Sequence, residues 1–116
     1  MKPYLVLVMC SLVFPVFGAT LTTSNYVISV ETHCEEGMVV CDDVSYIGTS
    51  KKSGNSIRLK GETWHTVCAD GVTPCRFIGY RFKNGDITYQ VMDSGVLQVI
   101  QGQDKVLLEE QGEWRY

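Results

Sequence analysis

The sequence predicts a small all-β domain, an antiparallel meander that forms a sandwich or a partly open barrel and is stapled by disulfides. Three observations support this fold class. Past residue 25, short β-prone runs alternate with turn residues at close intervals. No segment combines a sustained helical period with helix caps, and four cysteines follow the N-terminal segment. Successive hairpins must hide their apolar faces by packing sheet on sheet or by closing into a barrel.

The N-terminal residues have the three-part layout of a secretory signal peptide. Lys2 supplies a basic start, an apolar run covers 5–17, and small residues begin at Gly18. The run is too short for a transmembrane helix, which needs roughly 20 apolar residues. We expect cleavage after Gly18, giving a signal peptide at 1–18 and a single exported domain at 19–116. The predicted location is the periplasm or the medium, with no stable membrane insertion.

Composition narrows the class of partner. The full chain carries a formal net charge of −3, and loss of Lys2 with the signal peptide leaves about −4. Nucleic acid and anionic lipid surfaces both need a basic face, so neither is expected as a partner. About 98 residues remain, and a domain of that size hides only about two thirds of its unfolded surface. Cross-links would therefore add useful stability.

Four cysteines remain once Cys10 leaves with the signal peptide, an even number that predicts two disulfides in an exported chain. A zinc site is the rival interpretation, because a histidine lies near each cysteine pair. The six-residue spacers are wider than those of structural zinc sites, so we expect no metal and no other cofactor. The cysteines are Cys34, Cys41, Cys68 and Cys75.

The disulfide connectivity is open, because four cysteines allow three pairings. Local pairing joins Cys34 to Cys41 and Cys68 to Cys75, closing two short loops. Nested pairing would follow if the two cysteine-bearing segments formed an unbroken antiparallel ladder around a turn at 54–55. We favour local pairing and keep the nested one as the alternative.

In the N-terminal half, β-branched and aromatic runs define the predicted strands. The polar–apolar alternation at 56–60 is typical of a half-buried strand, and Gly61 interrupts it. Gly48 and Gly61 are candidate sites for β-bulges. The strands predicted here are 26–30, 38–47, 56–60 and 63–68.

The C-terminal half contains the strongest local signal, the dipeptide Asn84-Gly85, which is typical of a two-residue hairpin turn. Further turn residues at 93–95 and 101–104 separate the later runs. The segment 106–110 also has some helical propensity. The strands predicted here are 76–82, 87–92, 96–100, 105–109 and 113–116.

No catalytic site is predicted. His33 and His65 are the candidates for acid–base chemistry, but neither lies beside a nucleophile, metal or phosphate-loop motif. Asp42, Asp43 and Asp70 would converge in the nested register, as carboxylates do in calcium and glycosidase sites. Adjacent acids on a strand point to opposite faces, however. Solvated charge is the better interpretation, and we expect a protein that is not an enzyme.

Binding to another protein is then the predicted function. Three loops are long or chemically distinctive, at 51–55, 69–74 and 84–86. A loop tied at both ends by a disulfide loses less entropy when it binds, which favours the second. The candidate contact residues are Lys51, Lys52, Asp70, Val72, Thr73 and Asn84.

The general plan is similar to that of periplasmic inhibitors of c-type lysozyme and of periplasmic immunity proteins. This is a likeness of architecture, which does not imply function. The Ser-Gly-x-x-Tyr segment by which some lysozyme inhibitors bind is not found, since Ser94-Gly95 continues to Gln98 without a tyrosine. The hypothesis is an exported binding protein of inhibitor or immunity type, directed at a cell-envelope-active enzyme. A structural or accessory envelope protein is the alternative, and a small hydrolase is the third.

Overall fold

The computed structural model describes residues 17–35 and 38–116. Most of the predicted signal peptide, including Cys10, lies outside the described residues, so its removal stays a prediction. No helix among the described residues is long and apolar enough to cross a membrane.

The described residues form nine strands of one antiparallel sheet, which confirms the all-β prediction. Strands that follow one another in the chain are also neighbours in the sheet, with the exception of β9. The strands are β1 (Phe17–Thr22), β2 (Tyr26–Thr32), β3 (Val44–Ser50), β4 (Ser56–Val67), β5 (Pro74–Asn84), β6 (Ile87–Met92), β7 (Val96–Gln101), β8 (Lys105–Gln111) and β9 (Glu113–Arg115).

The sheet is a nearly closed barrel because its last strand returns to its first. β9 pairs with β1, with Leu21 opposite Trp114. Only Gly112 separates β8 from β9, so one continuous segment contacts β7 through its first part and β1 through its last. The barrel prediction is confirmed, and the sandwich alternative is wrong.

Gly112 makes this closure sterically possible. Its amide donates a hydrogen bond of 2.7 Å to the Gly95 carbonyl. On its other side, a Cβ at position 112 would lie 2.3 Å from the carbonyl oxygen of Thr22. Only glycine permits so close an approach of two backbones.

Beside Gly112, a carboxylate network ties β8 to the turn between β1 and β2. The Glu110 carboxylate accepts hydrogen bonds from the Thr23 hydroxyl (2.6 Å), the Asn25 amide (3.2 Å) and the Asn25 side chain (2.6 Å). Desolvation opposes the charged form, but these bonds outweigh it and hold the pKa of Glu110 below its ordinary value. The Lys51 ammonium donates to the Thr23 carbonyl at 2.7 Å in the same place.

The core is built from the inward-facing alternate positions of the strands. Phe82 is fully buried, and its ring centroid lies 5.0 Å from that of Tyr46. Gly61 makes room for it, since a Cβ there would lie 2.4 Å from Phe82 Cδ1. Each large buried side chain contributes roughly 1.5–3 kcal/mol. The buried apolar residues are Leu21, Ile28, Val30, Cys41, Val44, Tyr46, Phe82, Val91, Leu97 and Val99.

The register of β3 with β4 corrects the predicted bulges. The two strands pair without interruption from Val44 opposite Gly61 to Thr49 opposite Ser56. Gly48 and Gly61 are therefore packing glycines rather than bulges. The irregularities lie instead between β4 and β5 and between β7 and β8.

The main differences from the predicted strands are three, and the remaining strands differ by at most two residues at either end. The predicted strand 38–47 begins only at 44, because the residues before it belong to a disulfide-closed loop. The predicted strands 56–60 and 63–68 are one strand, since Gly61 continues the ladder. β1 was not predicted, because its residues overlap the end of the apolar N-terminal run.

The predicted hairpin between β5 and β6 is confirmed, with Asn84 opposite Ile87. Gly85 alone takes a positive φ, +66°, while Asn84 keeps an ordinary strand conformation. The two turn residues are therefore Gly85 and Asp86 rather than the predicted Asn84 and Gly85, and only one of them has a positive φ.

Candidate functional site

Two local disulfides shape one end of the barrel. Cys34 bonds to Cys41 and Cys68 to Cys75, with Cα atoms 5.8 Å and 5.1 Å apart. The favoured local pairing is confirmed. The nested alternative is wrong, because the Cys41 backbone bonds to Thr63 instead of lying opposite Cys68. Sulfurs held in disulfides are not free thiolates, which removes the proposed zinc ligands.

β4 and β5 are the longest strands and extend beyond the strands beside them. β3 pairs with β4 only as far as Gly61, and β6 pairs with β5 only as far as Gly79. Past these points the two strands continue as a two-stranded ribbon with irregular register at Trp64, His65 and Val67. We call residues 65–77 the arm.

The tip of the arm is a loop ordered by one carboxylate. Asp70 accepts hydrogen bonds from the Val72 amide (2.9 Å), the Thr73 amide (2.9 Å) and the Thr73 hydroxyl. The Thr73 hydroxyl and then the two amides lower the pKa of Asp70 to about 2. Because the Cys68–Cys75 bond closes the same loop, its conformation is set by a covalent bond and by a charge.

Two apolar side chains stand out on this arm. Val72 at the tip is 79% exposed, and Val67 at the end of β4 is 59% exposed. The loop that holds Val72 is ordered, so its exposure is a property of a fixed conformation. Exposed apolar groups on a preformed loop are candidates for burial against a partner.

The second disulfide loop joins the barrel beside the base of the arm. The Cys41 amide donates to the Thr63 hydroxyl at 2.9 Å, and the Thr63 amide donates to the Cys41 carbonyl at 2.8 Å. This loop also exposes three consecutive apolar residues. They are Met38, Val39 and Val40.

The structure divides the six predicted contact residues between two places. Asp70, Val72 and Thr73 lie together at the tip of the arm. The other three lie at the opposite end of β4 and β5, in the turn before β4 and at the last residue of β5. They are Lys51, Lys52 and Asn84.

Neither histidine is oriented by a carboxylate of the described residues. The His65 ring packs edge-on against Phe77, with centroids 5.4 Å apart. His33 Nε2 lies 2.9 Å from the Ser45 hydroxyl. Asp43 forms an ion pair with Lys60 at 3.2 Å, so it does not converge with Asp70 as the nested register would require.

A separate feature is a cavity of about 410 Å³ inside the barrel. Buried and half-buried side chains form most of its walls, and the exposed lining residues are Asn55 and Ser56 at the start of β4 and Leu107 on β8. A β-bulge contributes to it: Leu108 pairs with Val99 and Val106 with Ile100, leaving Leu107 as the extra residue. The described lining residues are Tyr26, Tyr46, Gly48, Ser50, Asn55, Ser56, Ile57, Tyr89, Leu97, Val99, Leu107 and Leu108.

Tyr46 brings a phenol hydroxyl to the wall of this cavity. Its side chain is only 2% exposed, and its hydroxyl lies over Gly48, where a Cβ would be 2.5 Å away. The hydroxyl forms no hydrogen bond with any other described residue. Burial, and then the neighbouring Tyr89 and Tyr26, raise the pKa of Tyr46 well above its ordinary value, so the phenol is a neutral donor.

Sequence reasoning did not identify the cavity residues. The available signal was the spacing Tyr46-x-Gly48 in β3, which places an aromatic ring and a missing side chain on the same inward face. In the structure the Tyr46 ring lies over Gly48, and both residues line the cavity. The spacing can be recognised as part of a cavity wall only once the sheet is known to close into a barrel.

No protein-family model matches this chain, and no curated protein or solved structure matches it either.

Proposed function

We propose that this chain is an exported, non-catalytic binding protein that engages another protein through the arm at 65–77. The observation that carries the proposal is the ordered tip, where the Cys68–Cys75 bond and the Asp70 carboxylate fix a loop that exposes Val72. Export and the absence of catalysis remain parts of the proposal, drawn from the sequence.

The fixed conformation of the loop favours a role in recognition over a purely structural role for the disulfide. Fixing one backbone residue costs about 1–2 kcal/mol, so a loop that is already fixed binds without that cost. Here the Asp70 carboxylate holds the two amides that follow it as well as a hydroxyl. A turn that needed only to connect two strands would not require a disulfide and three hydrogen bonds.

The chemistry of the surface indicates an apolar contact at its centre. Val67 and Val72 are exposed on the arm, and the loop beside its base exposes Met38, Val39 and Val40. Protein interfaces combine such a desolvated centre with a polar rim. On the arm, the ordered Asp70 and the exposed Arg76 would supply rim polarity.

Site-specific photo-crosslinking tests this assignment. The mature, oxidised protein would carry p-benzoylphenylalanine at Val72, or at Asn84 as the matched control at the opposite end of β5. Both forms would be illuminated in native extracytoplasmic fractions. We expect one protein to be captured in a one-to-one adduct from position 72, with yield reduced about tenfold after reduction and alkylation.

Two results would overturn the proposal. Capture of the same protein from position 84 and not from 72 would move the contact to the Lys51, Lys52 and Asn84 end of the barrel. Failure of both positions to capture a stoichiometric partner in any fraction would remove the support for a protein-binding function.

A further inference from the structure

The cavity in the barrel is a second candidate binding site. Its volume of about 410 Å³ falls in the size range of small-molecule sites, which is roughly 300–1,000 Å³. The cavity is formed by strands β2, β3, β4, β6, β7 and β8. The arm contributes nothing to it, so this site is independent of the protein contact proposed above.

The side chains that line the cavity determine which class of ligand could bind there. Tyrosine rings, leucines, one valine and one isoleucine form the walls, and none of the described lining residues carries a charged side chain. A charged ligand would lose its hydration without gaining a counter-ion. An uncharged, largely apolar molecule has little hydration to lose, and its binding would remove apolar surface from water.

The Tyr46 hydroxyl favours a ligand that carries a hydrogen-bond acceptor. This hydroxyl lies at the cavity wall and has no hydrogen-bond partner among the described residues, so it is free to bond to a ligand. As a neutral phenol it is a donor. Tyr89, whose ring centroid lies 5.5 Å from that of Tyr46, brings a second phenol to the same wall.

We propose that the barrel binds an uncharged apolar small molecule that carries one hydrogen-bond acceptor, such as a carbonyl oxygen, received by the Tyr46 hydroxyl. Ligand access is through the rim at Asn55 and Ser56, both of which are exposed. The site is a binding site only, with no chemical step.

The test uses prodan, an uncharged naphthyl ketone whose emission shifts to the blue in an apolar site. We expect saturable one-to-one binding with a blue shift. Unlabelled 2-acetylnaphthalene should displace prodan, whereas 2-naphthoate, which has nearly the same shape and a negative charge, should compete at least about tenfold more weakly.

Three variants locate the site. Tyr46→Phe removes only the hydroxyl and should weaken prodan binding about 3- to 10-fold, the worth of one hydrogen bond. Ile57→Trp fills the cavity from β4 and should weaken binding at least about tenfold. Arg58→Trp is the matched control, because adjacent strand residues point to opposite faces and Arg58 is exposed.

The proposal is overturned if wild-type protein shows no saturable prodan binding, or if 2-naphthoate competes as well as the ketone. It is also overturned if a folded Ile57→Trp variant binds as wild type does. Should Ile57→Trp fail to fold, the isosteric Tyr46→Phe variant decides: unchanged affinity for prodan would contradict the role of the hydroxyl.

Discussion

The Thr23 hydroxyl donates a hydrogen bond of 2.6 Å to the Glu110 carboxylate, joining two residues that are 87 positions apart in the chain. Thr23 is almost fully buried, and its hydroxyl also accepts the Tyr26 amide at 3.1 Å. The bond lies where the barrel closes, beside the pairing of β9 with β1. Closure of the barrel therefore depends on a polar contact as well as on the ladder itself.

Thr23→Val keeps the shape of the side chain and removes the hydroxyl. We expect a loss of about 1–3 kcal/mol in the free energy of unfolding, because the Tyr26 amide loses its acceptor and Glu110 loses a donor. Urea unfolding would measure it. The adjacent exposed Ser24 provides the control, since Ser24→Ala should change stability by less than about 0.5 kcal/mol. Equal effects of the two variants would contradict the role of Thr23.

Gly112→Ala tests the steric basis of closure. The new Cβ would lie 2.3 Å from the Thr22 carbonyl oxygen, and overpacking of this kind costs about 1–3 kcal/mol. Hydrogen exchange should show lost protection in β9 and β1 before the rest of the sheet. Gly102→Asn is the control, because position 102 has open space around it and asparagine tolerates its φ of +67°. Unaltered β9 protection in Gly112→Ala would argue against this mechanism.

The order of the arm tip should depend on pH through Asp70. The pKa in the folded loop is about 2, below the ordinary 3.8, so the carboxylate bonds are fully present above about pH 4 and are lost as the pH falls through about 2. The Val72 and Thr73 amide resonances should titrate with that midpoint, and Asp70→Ala should abolish the transition. A midpoint near 4 would mean that the carboxylate does not order the loop.

Removal of the two disulfides should have unequal effects. Each closes a loop of similar length and is worth about 2–3 kcal/mol by chain entropy. Cys41 is also buried in the core, whereas Cys75 is exposed. The double variant Cys34→Ser/Cys41→Ser should therefore be less stable than Cys68→Ser/Cys75→Ser by at least about 1 kcal/mol, because it buries a hydroxyl. Equal losses of stability in urea unfolding would contradict this difference.

Local chemistry predicted much of the fold. The hairpin between β5 and β6 depends on neighbouring residues and was predicted correctly, although its two turn residues are Gly85 and Asp86 rather than Asn84 and Gly85. The prediction of a β-bulge at Gly61 was wrong because the role of this glycine is to make room for Phe82, which lies 21 positions later in the chain. A glycine required by packing and a glycine required by a bulge look alike in the sequence.

The choice between a barrel and a sandwich, and the presence of the cavity, could not be decided from the sequence, because both depend on long-range pairing. Whether β9 reaches β1 is decided at Gly112 and Thr22, which lie near opposite ends of the chain. The arm was anticipated only in part. The disulfide loop with Asp70 was identified, but the separation of that loop from Lys51 and Asn84 required the strand register.

The most direct test of the arm as the recognition element is calorimetric titration of the captured partner against three proteins: wild type, Val72→Asp and Asn84→Asp. Both variants add the same charge, one at the tip of the arm and one at the opposite end of β5. We expect Val72→Asp to weaken binding at least about tenfold, because it places an unpaired charge in an apolar contact, and Asn84→Asp to bind as wild type does. Loss of binding in Asn84→Asp with full retention in Val72→Asp would contradict the assignment.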